Sequence, residues 1–133
     1  NPPLYWFSTI AILLMGFEWL KLLWHWIREK TVSNKFFFFT FILCGYCANL
    51  LPWAWISRCA FLYSYQPASI FGFFALAWYL AHLMSAESIK YRILSWGMLI
   101  LIIAAFFYWL PTLTGMPLEA ESWLQRKWFE SWI

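Results

Sequence analysis

The sequence predicts an all-α, polytopic membrane protein with four transmembrane helices and a C-terminal amphipathic helix in the membrane interface. Of its 133 residues, 64% are hydrophobic and only 11% are charged, whereas a soluble domain has about 25% charged residues. A water-soluble protein of this composition would lack the polar side chains to cover its surface. Four mostly apolar stretches also reach the length of about 20 residues that a helix needs to cross a bilayer.

The four predicted spans follow one another with short connections. They run over about residues 5–27, 36–56, 61–84 and 93–113. Charged and turn-forming residues in the connections mark where the spans end. Because a helix satisfies all its backbone hydrogen bonds internally, it is the expected form of such spans in lipid.

The C-terminal tail, residues 119–133, is too short and too charged to form a fifth span. Leu124, Trp128 and Trp132 recur in it at helical spacing. This pattern indicates an amphipathic helix that lies in the interface, where tryptophan is favoured. The alternative is a disordered tail.

The chain has the features of a piece of a longer protein. It begins at Asn1 with neither an initiator methionine nor the pattern of a signal peptide. All six acidic residues are glutamates, so a mechanism based on aspartate cannot be complete within it. We therefore expect residues 1–133 to be a C-terminal membrane domain fragment whose N-terminal half is missing.

Basic residues are unevenly distributed between the two sides of the predicted bundle. Five lie in the first and third connections, namely Arg28, Lys30, Lys35, Lys90 and Arg92. Three lie on the other side, namely Arg58, Arg126 and Lys127. Because short loops rich in Lys and Arg stay in the cytoplasm, we predict that the N-terminal edge and the C-terminal tail are extracytoplasmic. In a membrane protein a net charge of +3 is informative about topology rather than about nucleic acid binding, and we expect no nucleic acid partner.

Polar side chains are concentrated where the second predicted span gives way to the third. Arg58 is followed by Tyr63, Tyr65 and Gln66. A guanidinium group offers a rigid fork of donors that suits a phosphate, and the tyrosines could stack on a sugar ring. The alternative is an interfacial arginine that snorkels to lipid head groups, accompanied by tyrosines of the aromatic belt.

Two further groups inside the predicted spans have a functional and a structural interpretation. Glu18 lies within the first span, where an ionisable residue is costly, but Lys21 is three residues away and predicts a local ion pair on the same helix. Cys44 and Cys47 form a C-x-x-C pattern that in other settings indicates redox chemistry. Thiolate formation is disfavoured inside a membrane, so packing cysteines are the alternative.

Three short motifs mark the chain. It opens with Asn1-Pro2, followed by the aromatic pair Tyr5-Trp6. Its middle has Arg58 and Phe61, followed by the run "YSYQPA" at residues 63–68. It ends in the tryptophan-rich run "RKWFESWI" at residues 126–133.

Together these motifs resemble the C-terminal membrane domain of the protein O-mannosyltransferase family, which uses lipid-linked sugars. That domain opens with Gly-Asn-Pro and aromatic residues, carries Arg, Phe and Tyr-His-Tyr-x-Pro-Ala in its middle, and ends in a Trp-rich tail in cyanobacterial-type members. Two positions differ here. Ser64 stands where the family has histidine, and Gln66 replaces the usual apolar residue before the proline.

The resemblance implies the C-terminal part of a GT-C-type glycosyltransferase. Such an enzyme moves mannose, with inversion, from a polyprenyl-phosphate carrier such as dolichyl phosphate mannose to Ser or Thr of a protein at the outer membrane face. It implies a catalytic carboxylate upstream of this chain, so that no catalytic residue lies within it and the fragment alone is inactive. It also implies that this segment binds the lipid-linked donor and no other cofactor or metal.

On this resemblance we expect Arg58 to contact the carrier phosphate, with help from Tyr63, Tyr65 and Gln66. The expected partners are the lipid-linked donor, the acceptor protein, membrane lipid and the missing N-terminal half, and the expected location is a bacterial plasma membrane. Other functions remain open at this point. They are another lipid-carrier-dependent glycosyltransferase, a four-helix thiol oxidoreductase, and a non-enzymatic scaffold or transporter segment.

Overall fold

A computed structural model of the chain describes residues 1–54, 62–117 and 120–126. Within these ranges the regular structure is helical, in the order α1 (Pro2–Glu29), α2 (Asn34–Ala54), α3 (Leu62–Met84), α4 (Ile89–Thr114) and α5 (Ala120–Arg126). The first four helices are long and apolar enough to cross a membrane. The predicted all-α class with four transmembrane helices is therefore confirmed. The extent of the domain and the interfacial location of the tail remain predictions.

The first helix begins at Pro2, before the predicted span, because Asn1 and the two prolines that follow it favour a helix N-terminus. The side chain of Asn1 accepts a hydrogen bond from a backbone N–H of the first turn at 3.4 Å. Pro2 and Pro3 occupy the first two helical positions, where a missing N–H has no cost. The helix ends at Glu29 and is capped by Lys30, whose left-handed backbone has a φ of 53°. At 28 residues, α1 is about 42 Å long.

The fourth helix begins at Ile89, four residues before the predicted span. Its first turn includes Lys90 and Arg92, which the sequence analysis placed in the connection. A membrane helix can extend into the head-group region, where charged side chains are solvated. α4 ends at Thr114 and is capped by Gly115, whose φ of 69° is available to glycine without strain and whose N–H donates to the Pro111 carbonyl.

The bundle is built around α3, which contacts α1, α2 and α4. Short connections make successive helices antiparallel. Met15, Phe39 and Ile42 are almost fully buried at the centre of α1, α2 and α3. We call the end where α1 and α3 begin the tyrosine end, and the end where they finish the basic end.

Two glycines of this bundle lie where helices approach closely. A Cβ atom at Gly45 of α2 would overlap the ring of Phe71 on α3. A Cβ atom at Gly72 of α3 would lie 3.3 Å from the Cβ of Ser8 on α1. Small residues at such contacts are typical of membrane bundles, where association depends on close packing.

Hydrogen bonds attach the outer helices to this core. Ser95 of α4 donates to the Leu80 carbonyl of α3 at 3.1 Å. Arg126 of α5 donates through Nε to the Tyr108 carbonyl at 3.0 Å, and its own carbonyl accepts from Trp109 Nε1 at 3.1 Å. α5 is therefore attached to the tyrosine end of α4. The rest of the predicted tail helix, from residue 127 onward, lies outside the described residues.

Candidate functional site

Three tyrosines from three helices meet near the tyrosine end, and we call them the tyrosine cluster: Tyr5 of α1, Tyr46 of α2 and Tyr65 of α3. The ring centroids of Tyr5 and Tyr65 are 6.1 Å apart. Those of Tyr46 and Tyr65 are 6.3 Å apart, with the rings nearly perpendicular. The Tyr5 ring also contacts Phe73 at 5.7 Å. Edge-to-face and tilted contacts of this kind are favourable for aromatic rings, so the cluster fixes the ring of Tyr65.

The hydroxyl groups of Tyr46 and Tyr65 form a hydrogen bond whose oxygens are 3.2 Å apart. A phenolic hydroxyl donates one hydrogen bond and can accept two. Whichever of the two donates, the other keeps its own proton for a further acceptor. Both side chains are half-buried, so this donor is held in place while one side stays accessible. The pair can therefore present one oriented O–H group to a ligand such as a phosphate.

The predicted site residues are only partly among those the structure describes. Tyr65 is in the tyrosine cluster, and Gln66 follows it on α3 with an exposed side chain. Arg58 and the side chain of Tyr63 lie outside the described residues. The structure therefore places Tyr65 and Gln66 at the start of α3, and the binding roles of all four residues remain predictions.

Prolines lie inside both helices that flank the Arg58 segment. Pro52 is within α2 and Pro67 is within α3. Since proline has no N–H, each leaves a carbonyl four residues earlier without its helical donor. Asn49 donates from its side chain to the Gly45 carbonyl at 2.8 Å, which adds a polar contact close to the tyrosine cluster.

A second polar group, which we call the Glu18 cluster, lies toward the basic end and consists of Glu18, Lys35 and Tyr79. The Oε2 atom of Glu18 accepts from Lys35 Nζ at 2.7 Å, and its Oε1 atom accepts from the Tyr79 hydroxyl at 3.1 Å. The Lys35 ammonium also lies 5.0 Å and 4.9 Å from the ring centroids of Phe39 and Trp78. Both carboxylate oxygens are occupied, so the cluster joins α1, α2 and α3.

The predicted local ion pair between Glu18 and Lys21 is wrong. Lys21 instead lies over the ring of Phe17, 4.4 Å from its centroid. The spacing of three residues allowed the pair, but α2 and α3 bring Lys35 and Tyr79 to the carboxylate from directions that the α1 sequence could not indicate. The structural interpretation of Glu18 therefore holds with different partners.

Three residues of these clusters were missed by sequence reasoning. Tyr46 lies between the two cysteines and was not considered on its own. Lys35 is predicted to lie in a connection, and Tyr79 lies within the third predicted span with no role assigned to it. The available signal was that Tyr46 and Tyr79 carry polar groups inside predicted spans, where such groups need a partner, and that Lys35 directly precedes one. Which helix supplies that partner depends on helix rotation, which one sequence does not reveal.

Comparison with known proteins agrees with this arrangement of helices. A family model described as the C-terminal four-transmembrane region of protein O-mannosyltransferase matches residues 1–132. The chain belongs to the protein O-mannosyltransferase family. The resemblance stated from the three motifs is thereby confirmed, and with it the assignment of the chain to a membrane region of a mannosyltransferase family.

The individual relatives that match the chain share only about a quarter of its residues. The chain is 25% identical to dolichyl-phosphate-mannose–protein mannosyltransferase 2 of Candida albicans over 99% of its own length and 20% of that protein. It is 27% identical to the polyprenol-phosphate-mannose–protein mannosyltransferase of Mycolicibacterium smegmatis over 98% of its length and 24% of that protein. The chain thus spans a quarter or less of these relatives. No solved structure gives a significant match.

The structure shows the state of the two cysteines in the C-x-x-C pattern. Cys44 and Cys47 are both free thiols with exposed side chains on α2. They form no disulfide with each other, and Cys59 lies outside the described residues. Within the described part of the chain no group of three or more His, Cys, Asp or Glu side chains could hold a metal ion.

Proposed function

We propose that this chain is the donor-binding membrane part of an enzyme that transfers mannose from a polyprenyl-phosphate carrier to Ser or Thr of a protein. The observation that carries the proposal is the meeting of two motif segments at one site. Tyr5 from the opening motif packs against Tyr65 from the middle motif. The Tyr46–Tyr65 pair adds a hydroxyl donor there. The relatives' names, which specify dolichyl- or polyprenol-phosphate-mannose, support the choice of donor.

The chemistry of such a transfer creates charge on the carrier. The acceptor hydroxyl attacks the anomeric carbon of mannose, and the bond from that carbon to the phosphate oxygen breaks. The acceptor proton passes to a carboxylate, which we expect in a part of the protein outside this chain. The released polyprenyl phosphate gains a second negative charge, so donors fixed around it stabilise the transition state more than the ground state.

In this proposal Arg58 contacts the carrier phosphate. It lies four residues beyond the end of α2 and four before the start of α3. Tyr65 supplies a second donor, its hydroxyl group, to the same phosphate. Tyr63 and Gln66, from the same segment, contact the sugar or the phosphate. The apolar helices offer a surface for the polyprenyl chain. Ser64 lacks the imidazole of the family's histidine, so any proton or hydrogen bond that histidine supplies must come from another group.

The proposal also covers the location of the reaction. Basic residues of the basic end are predicted to stay in the cytoplasm, which leaves the tyrosine end on the extracytoplasmic side of a bacterial plasma membrane. The donor phosphate, the acceptor protein and the tail would then share that side. Because the carboxylate lies elsewhere, the four helices alone are expected to be inactive.

The test is Arg58→Ala in the full-length enzyme, assayed with polyprenyl phosphate mannose and a Ser/Thr-containing acceptor peptide. Removing one preorganised donor from developing charge costs about 3–4 kcal/mol, so kcat/KM is expected to fall by roughly 10²–10³. Arg92→Ala, which removes an exposed arginine at the basic end of α4, is the matched control. An unchanged transfer rate and donor KM in Arg58→Ala would end the proposed role.

A second candidate follows from Ser64 and Gln66, which alter the motif that most favours protein mannosylation. It is a glycosyltransferase that uses the same carrier phosphate but another sugar, such as aminoarabinose. Supplying the full-length enzyme with polyprenyl phosphate carrying either sugar separates the two candidates. Transfer of mannose alone supports the first, whereas transfer of aminoarabinose alone supports the second.

A further inference from the structure

One exposed face of α1 carries aromatic and basic residues in alternation: Phe17, Lys21, Trp24 and Arg28, which we call the α1 stripe. The spacings of four, three and four residues place all four on one side of the helix. Each cation lies over the ring four residues before it. Lys21 Nζ is 4.4 Å from the Phe17 centroid, and the Arg28 guanidinium carbon is 6.0 Å from the Trp24 ring. All four side chains are exposed.

The positive charges of the stripe are not neutralised within the described part of the chain. The two acidic residues of α1 are engaged elsewhere, because Glu18 is paired with Lys35 at 2.7 Å and Glu29 with His25 at 3.0 Å. Neither Lys21 nor Arg28 forms an ion pair among the described residues. The stripe therefore presents two positive charges beside two aromatic rings.

The depth of the stripe follows from its neighbours. Glu18 is level with Tyr79 of α3, to which it is hydrogen bonded. Met84, the end of α3, is five residues beyond Tyr79, whereas the end of α1 is eleven residues beyond Glu18. α1 therefore extends roughly 9 Å further than α3 at the basic end. Lys21 lies close to the level where α3 ends, and Trp24 and Arg28 lie beyond it.

This arrangement matches the layers at a membrane surface. With the membrane surface placed at the level where α3 ends, Phe17 lies at the depth of acyl chains and Trp24 in the head-group layer, where tryptophan is favoured. Both cations lean back along α1, Arg28 toward Trp24 and Lys21 toward Phe17, and the flexible stem of a lysine at the boundary lets its ammonium swing outward to the head groups. Both cations can thus reach the phosphate layer from opposite sides of Trp24. Paired basic residues at this depth are suited to anionic lipid head groups.

We propose that the α1 stripe is a binding site for the head group of an anionic phospholipid in the leaflet at the basic end. The phosphate lies between Lys21 and Arg28, the Trp24 ring contacts the glycerol region, and an acyl chain lies along Phe17. The site is at the opposite end of the bundle from the tyrosine cluster and does not depend on the proposed transfer reaction.

The experiment measures lipid selectivity of the full-length protein in vesicles of phosphatidylcholine. Spin-labelled phosphatidylglycerol and spin-labelled phosphatidylcholine are compared for the fraction of label immobilised by the protein. The unsubstituted protein is expected to favour phosphatidylglycerol, and the double variant Lys21→Gln/Arg28→Gln is expected to lose that preference. The expected change is about fivefold for each cation removed. Added inorganic phosphate should not displace the lipid, since the site requires the acyl chain as well.

A matched control removes the same charge from the same end of the bundle. Lys90 and Arg92 are exposed basic residues of α4, and Lys90→Gln/Arg92→Gln should leave the preference largely intact. The exchange variant Lys21→Arg/Arg28→Lys keeps both charges and should retain it as well, which separates charge from folding. Equal losses in the two double variants, no preference in the unsubstituted protein, or displacement by inorganic phosphate would each overturn the proposal.

Discussion

The tyrosine cluster and the Glu18 cluster are built from the same three helices, yet they differ in what their polar groups still offer. Each of α1, α2 and α3 contributes one residue to each cluster. In the Glu18 cluster both carboxylate oxygens are occupied, and the lysine is held by a carboxylate and two aromatic rings. In the tyrosine cluster the hydroxyl pair keeps one proton that no described residue accepts.

This difference separates a cluster that fixes helices in position from a cluster that can bind a ligand. A polar group inside a membrane bundle needs partners, and once all of them come from neighbouring helices the group fixes those helices in position. A group with a donor still available can engage a ligand. We therefore expect substitutions in the Glu18 cluster to act mainly on stability, and substitutions in the tyrosine cluster to act mainly on the donor.

The largest effect is expected from Gly45→Ala, which alters the contact between α2 and α3 beside Tyr46. The new methyl group would overlap the Phe71 ring, and overpacking of this kind costs about 1–3 kcal/mol. The helices must separate, so Tyr46 moves away from Tyr65 and donor binding is lost with stability. Thermal unfolding of the full-length protein in detergent, together with donor KM, measures both losses.

Gly97→Ala is the control for this substitution, because no atom lies within 4 Å of a Cβ at Gly97 on α4. Alanine there gains helix propensity of up to about 1 kcal/mol and meets no neighbour. If Gly45→Ala were as stable and as active as Gly97→Ala, the close packing of α2 on α3 would not govern the tyrosine cluster.

A smaller effect is expected from Glu18→Gln, which keeps the shape of the Glu18 side chain but removes its charge. The amide can still accept from Tyr79, while the attraction to Lys35 is lost. The two side chains are 36% and 42% exposed, and polar contacts between membrane helices contribute at most about 1.7 kcal/mol. The loss should therefore be about 1 kcal/mol rather than the larger cost of breaking a fully buried pair. Chemical unfolding of the full-length protein measures this loss, and donor KM should stay unchanged.

The exposed pair of His25 and Glu29 is the control for removing a charge at Glu18. Both of its side chains are more than half exposed, so Glu29→Gln should change the free energy of unfolding by only a few tenths of a kcal/mol. A rise in donor KM in Glu18→Gln, at unchanged stability, would contradict the division between the two clusters.

The helices themselves were largely predictable from the sequence, because length and apolar composition decide what crosses a membrane. The ends were less predictable. The first span is predicted from about residue 5, whereas Pro2 and Pro3 form the first turn of α1. Lys90 read as loop, whereas α4 begins before it. Charge and proline are tolerated in the first turn of a helix, so a pattern based on apolar runs places helix ends too far inside.

The candidate site was predictable only where a motif marked it. Tyr65 lies in the motif and is found at a junction of three helices, whereas Tyr46 carries no motif and becomes visible only through its hydroxyl partner. The Glu18 pair shows the same limit, since its partner Lys35 is 17 residues away along the chain. Pairing between helices depends on their rotation and depth, and an apolar helix offers little periodicity from which to infer either.

A change in stability smaller than that of Glu18→Gln, and the sharpest test, is expected from comparing Tyr46→Phe with Tyr79→Phe. Each removes one hydroxyl that bonds to another helix, at 3.2 Å and 3.1 Å respectively. Hydrogen bonds between membrane helices contribute on average about 0.6 kcal/mol, so both variants should unfold within about 1 kcal/mol of the unsubstituted protein. They remove the same chemical group and differ in the cluster it belongs to and in its partner, a tyrosine hydroxyl for Tyr46 and a carboxylate for Tyr79.

Their effects on the donor should diverge. In Tyr46→Phe the hydroxyl of Tyr65 loses the partner that orients it, so the donor KM of the full-length enzyme should rise several-fold while kcat changes less. In Tyr79→Phe the Glu18 carboxylate keeps Lys35, and the donor KM should not change. Equal donor KM values in the two variants would mean that the Tyr46–Tyr65 hydrogen bond only holds helices together. A rise in Tyr46→Phe alone would mean that the available proton of this pair serves the donor, since stability cannot explain a difference between two variants that are equally stable.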